Sequence, residues 1–551
     1  MPRPARLLPL FGSLSLAAGC TAYAVRDADR EVAEILEEVE RDHIAARVPD
    51  LVEPEKAPLP ESRPETAPAE TEDEIETEPA SQPASHPEAL RLGLRDAMRL
   101  ALRQSRDYQT QVESLQLQAL SLTGTRRNFS PRFTGVLSYL YSQGFSFPEG
   151  VLSPHDSDDL VHTGRGSLGV SQIMPLGGTL ELTAAETAVR DTGLSDPSYA
   201  ATVSASYSHN LLRGVGYEAS HEPLVQAERS MVYAARDYEL FRQDFSIDVA
   251  RRFYNLVAQQ RVLENTRARR RAAVRTLAQS EALHRVGQLN RVDLYRAQQG
   301  DLDGQNQLLE AEQSFDDALD QFKIFLGLST DVRLEIEPEE PPFQPVSLDL
   351  LSAIAAAETN RLDFKTTQDE LEDAQRAVRI AAQGLNADLN FDVDGSLATG
   401  SRAGFDSQRF RESTLSAGLS LGLPLDRKAE RNAYRSALIS LDRARRAYDL
   451  ARDNLALEVR RNLRDLQRVR TTLDIQRRKI ETEERTVRIT TIQFRAGNVQ
   501  NRDLVEAEQG LLDARNAEIQ DRVDYEIARL QLRRILGTLV LDPEGLWVEK
   551  D

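Results

Sequence analysis

Two stretches 210 positions apart spell one pattern: HRVGQLNRVDLYRAQQ from His284 to Gln299, and FRAGNVQNRDLVEAEQ from Phe494 to Gln509. Each carries a lone glycine and, six residues later, an Asp-Leu pair. The register extends far beyond the turn. Ala227 matches Ala437, Tyr238 matches Tyr448, Val249 matches Val459, and Leu326-Gly327 matches Leu536-Gly537. No insertion breaks it from about residue 216 onward. A repeat of this length means two copies of a domain-sized unit rather than a solenoid of short ones.

Each copy contains a helix of unusual length, expected over about Ala219–His284 and Ala429–Phe494. Beyond Pro223 neither tract holds a proline or a glycine. At 1.5 Å per residue each helix would measure roughly 100 Å. Val459, Leu466, Leu473, Ile480, Val487 and Phe494 recur every seven residues, a coiled-coil seam. Tyr448 and Leu455 lie on a row displaced by four, a stutter that unwinds the supercoil locally. After each glycine turn a helix of about 30 residues runs on to a Leu-Gly pair.

The front of each copy opens with a helix, about 94–128 and 347–385, followed by alternation with period two. FTGVLSYLY, SLGVSQI, TLELTA and TVSASYS in the first copy predict four strands, with PLGGT (175–179) as a turn. Phe391 to Leu397 and Leu415 to Leu423 predict two in the second. SRDYQTQ and NRLDFKTTQ match at an offset near 255, so the first copy has about 45 extra residues between roughly 130 and 215. That is the length of one further hairpin, inside or outside the sheet.

The N-terminus has the parts of an export signal: Arg3 and Arg6, then an apolar run from Leu7 to Ala18 that is too short to span a bilayer. LAAGC, ending at Cys20, resembles the lipobox of bacterial lipoproteins, with Ala17 where that box usually carries leucine. The resemblance implies lipidation at Cys20, and Thr21 after it suggests outer-membrane delivery. Cys20 is the only cysteine, so no disulfide within the chain can use it. Val32, Ile35, Leu36 and Val39 then recur at helical spacing. From Pro49 to Pro87 nine prolines stand among many acids. From Asp50 to Glu88 there are twelve acids and two bases, half the net charge of −20. Such a segment cannot bury enough surface to fold, so a disordered tether is expected. The negative net charge argues against a phosphate-backbone binder.

No chemistry of a catalyst stands out. GRGSLG (164–169) fits a dinucleotide motif and GLSLG (418–422) a nucleophile elbow, but each lies within an alternating strand where its chemistry fails. His155 and His162, with the aspartates between, read as a solvated loop. No enzyme, metal or cofactor is expected. Strands with one apolar and one small polar face are what a transmembrane barrel requires, and too few are present for one chain to close it.

The start LGLRDAMRLALRQS, the doubled G-x5-D turn, the segments SHNLLRGVG and LGLPLDRKAERN, and the repeat-ending Leu-Gly resemble the TolC-type outer-membrane efflux protein family over about 90–541. The resemblance implies a mainly α protein with a β-barrel portion, a two-repeat channel-tunnel protomer. It further implies a homotrimer in outer-membrane lipid that docks on a periplasmic adaptor and an inner-membrane pump or exporter. The expected division is a signal peptide (1–19), a lipidated linker (20–89), a first repeat (90–335), a short linker (336–345), a second repeat (346–541) and a tail (542–551). A lipid-anchored periplasmic scaffold without a pore is the alternative.

The resemblance also implies site residues. Both glycine turns fall at the periplasmic tips, with Arg285, Val286, Gly287, Arg495, Ala496 and Gly497 against the adaptor. Asp503 and Glu506, three apart on one helix face, match the acids that ring the closed end. Asp293 matches an acid that bonds a gate tyrosine, but Phe494 stands at that tyrosine's position and has no hydroxyl. Arg296 and Glu506 are equivalent positions of opposite charge, which suggests a pair.

Overall fold

The computed structural model describes residues 15–43, 90–143, 160–191, 197–346, 348–399, 410–423, 425–496 and 498–548. The start of the signal segment, the acidic proline-rich linker and Gly497 lie outside the described residues. Position 20 falls within the first helix, α1 (Ser15–His43), but its side chain is not among those described. The described residues divide into two compact units: those within 1–39, 115–234 and 366–450 form one, and those within 40–114, 235–365 and 451–551 the other.

The first unit is built on a six-stranded antiparallel sheet. Its strands are β2 (Arg132–Gln143), β3 (Leu160–Ile173), β4 (Thr179–Asp191), β5 (Ser198–Asn210), β7 (Asp388–Thr399) and β8 (Phe410–Gly422), in the order β2-β3-β4-β5-β7-β8. The expected count of four plus two holds, and the extra hairpin is a full member of the sheet. Both misleading motifs are strand, GRGSLG in β3 and GLSLG in β8. His162 corrects the loop reading: it is in β3, where its Nδ1 lies 2.6 Å from the Tyr139 hydroxyl.

The β3–β4 turn is tied down at its base. Gly177 and Gly178 have φ of 94° and 91°, a region open to glycine. A Cβ on Gly178 would lie 2.6 Å from the Ser208 carbonyl oxygen. His209 Nδ1 bonds the Gly177 carbonyl at 2.6 Å, and the Gly216 N–H donates to Leu176 at 3.0 Å. The turn therefore rests on the segment that leaves β5 and enters the short helix α4 (Tyr217–Ser220).

The same unit holds parts of α3 (Arg106–Phe129), α5 (Glu222–Arg285), α8 (Leu362–Gln383) and α9 (Lys428–Arg495). Arg376 on α8 bonds Glu222 at 2.7 Å, Asp373 at 2.8 Å and Gln226 at 3.0 Å. Asp373 also takes Arg229 and the Tyr233 hydroxyl, each at 2.7 Å. Burial, then the bond to Asp373, pushes the Tyr233 hydroxyl well above its ordinary range. Val32, Ile35 and Val39 of α1 are buried, as their spacing predicts. Glu38 bonds Arg126 on α3 at 3.2 Å.

The second unit holds the rest of those helices with β1 (Leu90–Leu92), α2 (Leu94–Gln104), α6 (Arg291–Leu326), β6 (Leu334–Ile336), α7 (Leu350–Asn360) and α10 (Asn501–Ile535). β1 and β6 pair in parallel. α5 runs 64 residues and α9 runs 68. The seam closes as the heptads require: Val459, Leu466, Leu473 and Phe494 are buried and Ile480 and Val487 half-buried. Val459 and Leu473 are fully inaccessible.

The front helices each break once, a departure from the single helices expected. Ser105 separates α2 from α3, and Arg361 separates α7 from α8, both with extended backbone. The cause is remote in sequence. Gly327, with φ 81°, caps α6 against the Gln104 backbone, and Gly537, with φ 66°, packs on Asn360 and Arg361. The repeat-ending Leu-Gly thus marks where a helix end meets a break in a neighbour. The linker and the tail expected outside the repeats are also docked. Tyr525 on α10 bonds the Gln344 carbonyl at 2.8 Å, and Glu544 holds Arg95 and Arg99 at 2.6 and 2.7 Å.

Candidate functional site

The doubled glycine turns are stop-and-start devices. Gly287 has φ 75°, its N–H bonds His284 at 3.0 Å, and the Gln288 N–H bonds Leu283 at 2.9 Å, which is a Schellman stop. In the second copy the Asn498 N–H reaches Gln493 at 2.9 Å in the same pattern. Each following helix is capped. The Asn290 carbonyl oxygen Oδ1 accepts the Asp293 N–H at 2.8 Å. At the second turn the Asp503 N–H reaches the Gln500 backbone carbonyl at 3.1 Å, and the Asp503 carboxylate takes the Gln500 N–H at 3.0 Å, one half of a capping box. An acid at this position also faces the positive end of the helix dipole.

The acids of the two copies therefore differ in environment. Asp293 is buried and takes Arg296 at 3.2 Å, whereas Asp503 is exposed and turned onto its own backbone. Glu506 is exposed, with Arg502 at 3.9 Å. The Arg296–Glu506 pair expected from their equivalence is not formed in this chain. Arg296 reaches Asp293 one turn away and Gln500 at 3.4 Å, which links the two turns. Phe494 is buried with Leu504 and Ala507, and contributes no donor. His284, its counterpart, bonds the Leu289 carbonyl at 2.7 Å.

Arg285, Val286, Gly287, Arg495 and Ala496 are all exposed, Val286 at 68%. A cavity of about 600 Å³ beside the turns is lined by Arg269, Arg296, Asp303, Arg502, Glu506 and Asp513 among others. Its charges alternate in sign, so an acid cluster alone does not describe it. Among the described residues no group of three or more acids, histidines or cysteines is placed to hold a metal ion.

The sheet is the second candidate surface. Reading straight across it, Phe133, Val170, Leu182, Ala205, Gly395 and Leu415 form one row. The adjacent row, on the other face, is Thr134, Gly169, Thr183, Ser204, Ser396 and Thr414. Side chains reverse face at each residue, so the rows continue to alternate, and the polar face also carries Arg132, Glu181 and Asp394 in one row. Tyr139, Tyr141 and Tyr199 lie toward one end of the apolar face, and Tyr207 and Phe391 toward the other. Glu186 interrupts that face beside Gly166 and Ala201. The apolar side chains are uncovered: Leu137 is 90% exposed, Leu415 81% and Phe133 75%. No described helix is long and apolar enough to cross a membrane.

A two-repeat set of long capped helices with a two-faced sheet is the channel-tunnel fold. Residues 353–538, within the second repeat, match the family model described as Outer membrane efflux protein. The fold of the whole body is that of solved outer-membrane channels. The chain is similar to the channel OprN at 16% identity and TM-score 0.60, over 81% of this chain and 90% of that one. It is similar to VceC of Vibrio cholerae at 15% and 0.60, over 81% and 96%. CmeC of Campylobacter jejuni gives 15% and 0.59, over 83% and 87%. No curated protein matches the sequence.

Proposed function

We propose that this chain is a passive export duct: a homotrimer, lipidated at Cys20, whose strands span the outer membrane while its helices enclose a conduit in the periplasm. A periplasmic adaptor meets the exposed turns around Gly287 and Gly497, and an inner-membrane pump or exporter supplies the energy. What supports the reading most is the uncovered apolar face of the sheet, backed by a polar face of serine, threonine and charged residues such as Arg165, Glu181 and Asp394. In water such a face is a liability; in a closed barrel it meets lipid while the polar face lines a lumen. Strands of 12 to 14 residues, tilted as barrel strands are, suffice to cross the hydrocarbon.

Gating falls to the turns. Glu506, exposed and weakly paired, is the acid we assign to the closed end. Asp503 stiffens the turn from which Glu506 projects, and Arg296 ties the two turns through Gln500. Phe494 has no hydroxyl for a lock and is instead buried.

The test is release from the membrane. A Cys20→Ser variant behind a signal cleaved without lipidation should stay in the outer membrane through a carbonate wash, because a barrel holds it there. Release into the wash would favour the pore-free scaffold instead.

A further inference from the structure

Among the described residues β2 and β8 are the two strands of the sheet with a neighbour on one side only. Every described side chain on them is exposed. They are 12 and 13 residues long, so each presents an unpaired ladder of about the same length. A bilayer cannot hydrate such an edge, so its backbone polar groups must be paired within a closed barrel.

Parity selects the partner. Six antiparallel strands are an even number, so β2 and β8 run in opposite directions. The β8 of one copy can therefore continue the antiparallel order onto the β2 of the next. The faces agree as well, because Phe133 and Leu415 end one apolar row and Thr134 and Thr414 end the polar row beside it. β4 cannot serve as the closing edge. It is paired with β3 over its whole length and with β5 over most of it, and the turn before it is fastened by His209 and Gly216.

We infer that three copies of this chain close a single 18-stranded barrel through β8–β2 contacts, the extra hairpin included. The inference rests on the trimeric duct proposed above and adds the strand count and the closing edge. At a strand spacing of about 4.8 Å and a tilt near 40°, 18 strands give a backbone diameter of roughly 36 Å. Twelve strands would give roughly 24 Å. The cross-section more than doubles, so the outer-membrane section accepts bulky hydrated cargo, and selection by size falls to the glycine turns.

Cysteine pairs in the full-length chain test this. Ser416→Cys on β8 is combined in turn with Thr134→Cys, Ser138→Cys or Ser142→Cys on β2, all on the polar face. A second series combines it with Thr183→Cys, Ala185→Cys or Thr187→Cys on β4. After oxidation in outer membranes, at least one β2 pair should give a covalent ladder ending at trimer, and no β4 pair should. Ladders from β4 would place the β2–β3 hairpin outside the barrel and overturn the inference. So would a ladder that stops at dimer, a cross-link confined to one chain, or no cross-link in a membrane-embedded trimer. Loss of the proposed duct is distinguished by release of the Cys20→Ser chain in the carbonate wash.

Discussion

Three glycines that look alike in sequence should respond differently to alanine. At Gly537 φ is 66°, and an added Cβ would lie 2.8 Å from the Asn360 carbonyl carbon and 3.0 Å from the Arg361 nitrogen. The left-handed backbone costs about 1–2 kcal/mol for a residue with a Cβ. Forcing apart a packed backbone costs about 1–3 kcal/mol more. Gly537→Ala should therefore lose roughly 2–5 kcal/mol. Gly287 has φ 75°, but its Cβ would meet nothing within 4 Å. Only backbone strain applies there, partly offset by the lower entropy of the unfolded chain, for a net loss of roughly 0.5–1 kcal/mol. Gly510 is helical, and its Cβ would press at 3.0 Å on the end of the Glu483 side chain, which can swing away. Gly510→Ala should gain up to about 1 kcal/mol of helix propensity. Thermal unfolding of the three full-length variants in one detergent should rank Gly510→Ala above wild type, Gly287→Ala slightly below it and Gly537→Ala far below. Equal losses at Gly287 and Gly537 would refute the account of the Leu-Gly endings.

Leu473 is fully inaccessible in the seam, so Leu473→Ala should cost about 2–5 kcal/mol, whereas Leu450→Ala, at a position 60% exposed, should cost under 1 kcal/mol, read by unfolding midpoints. Burial raises the Glu508 carboxyl against the opposing pull of Arg269 and Arg275. The folded chain then keeps a proton that the unfolded chain has released above pH 4.5, so stability falls as pH rises through that window. Glu508→Gln should flatten this fall in a pH series of melting temperatures. Asp503→Ala should lose about 1 kcal/mol of helix capping and loosen hydrogen exchange at the second turn, whereas Glu506→Ala should leave exchange there unchanged and alter only conductance.

The repeat, the seam and the strand count were legible because each is a periodicity, and periodicity survives in the sequence whatever the partner. The breaks at Ser105 and Arg361 were not. Their apolar spacing continues on both sides, and the glycines that require them stand more than 170 positions away. Membership of the extra hairpin was hidden for a related reason: alternation assigns faces, while neighbours depend on the fastened turn at Gly177 and Gly178. At the turns, sequence equivalence suggested that Arg296 meets Glu506. It missed that Asp293 lies one helical turn away from Arg296, so the shorter local pair forms. Asp503 was read for charge alone, although an acid three beyond the N-cap Gln500 is placed to take its N–H. Gln is an uncommon cap, which masked the signal.

Single-channel recording in a planar bilayer tests the central claim most directly. The purified full-length chain should insert as a trimer and, once charge at Glu506 is reversed, show long-lived openings larger than those of the wild type. Trimers that bind the bilayer through their lipid anchors yet pass no current, with or without the substitution, would contradict it.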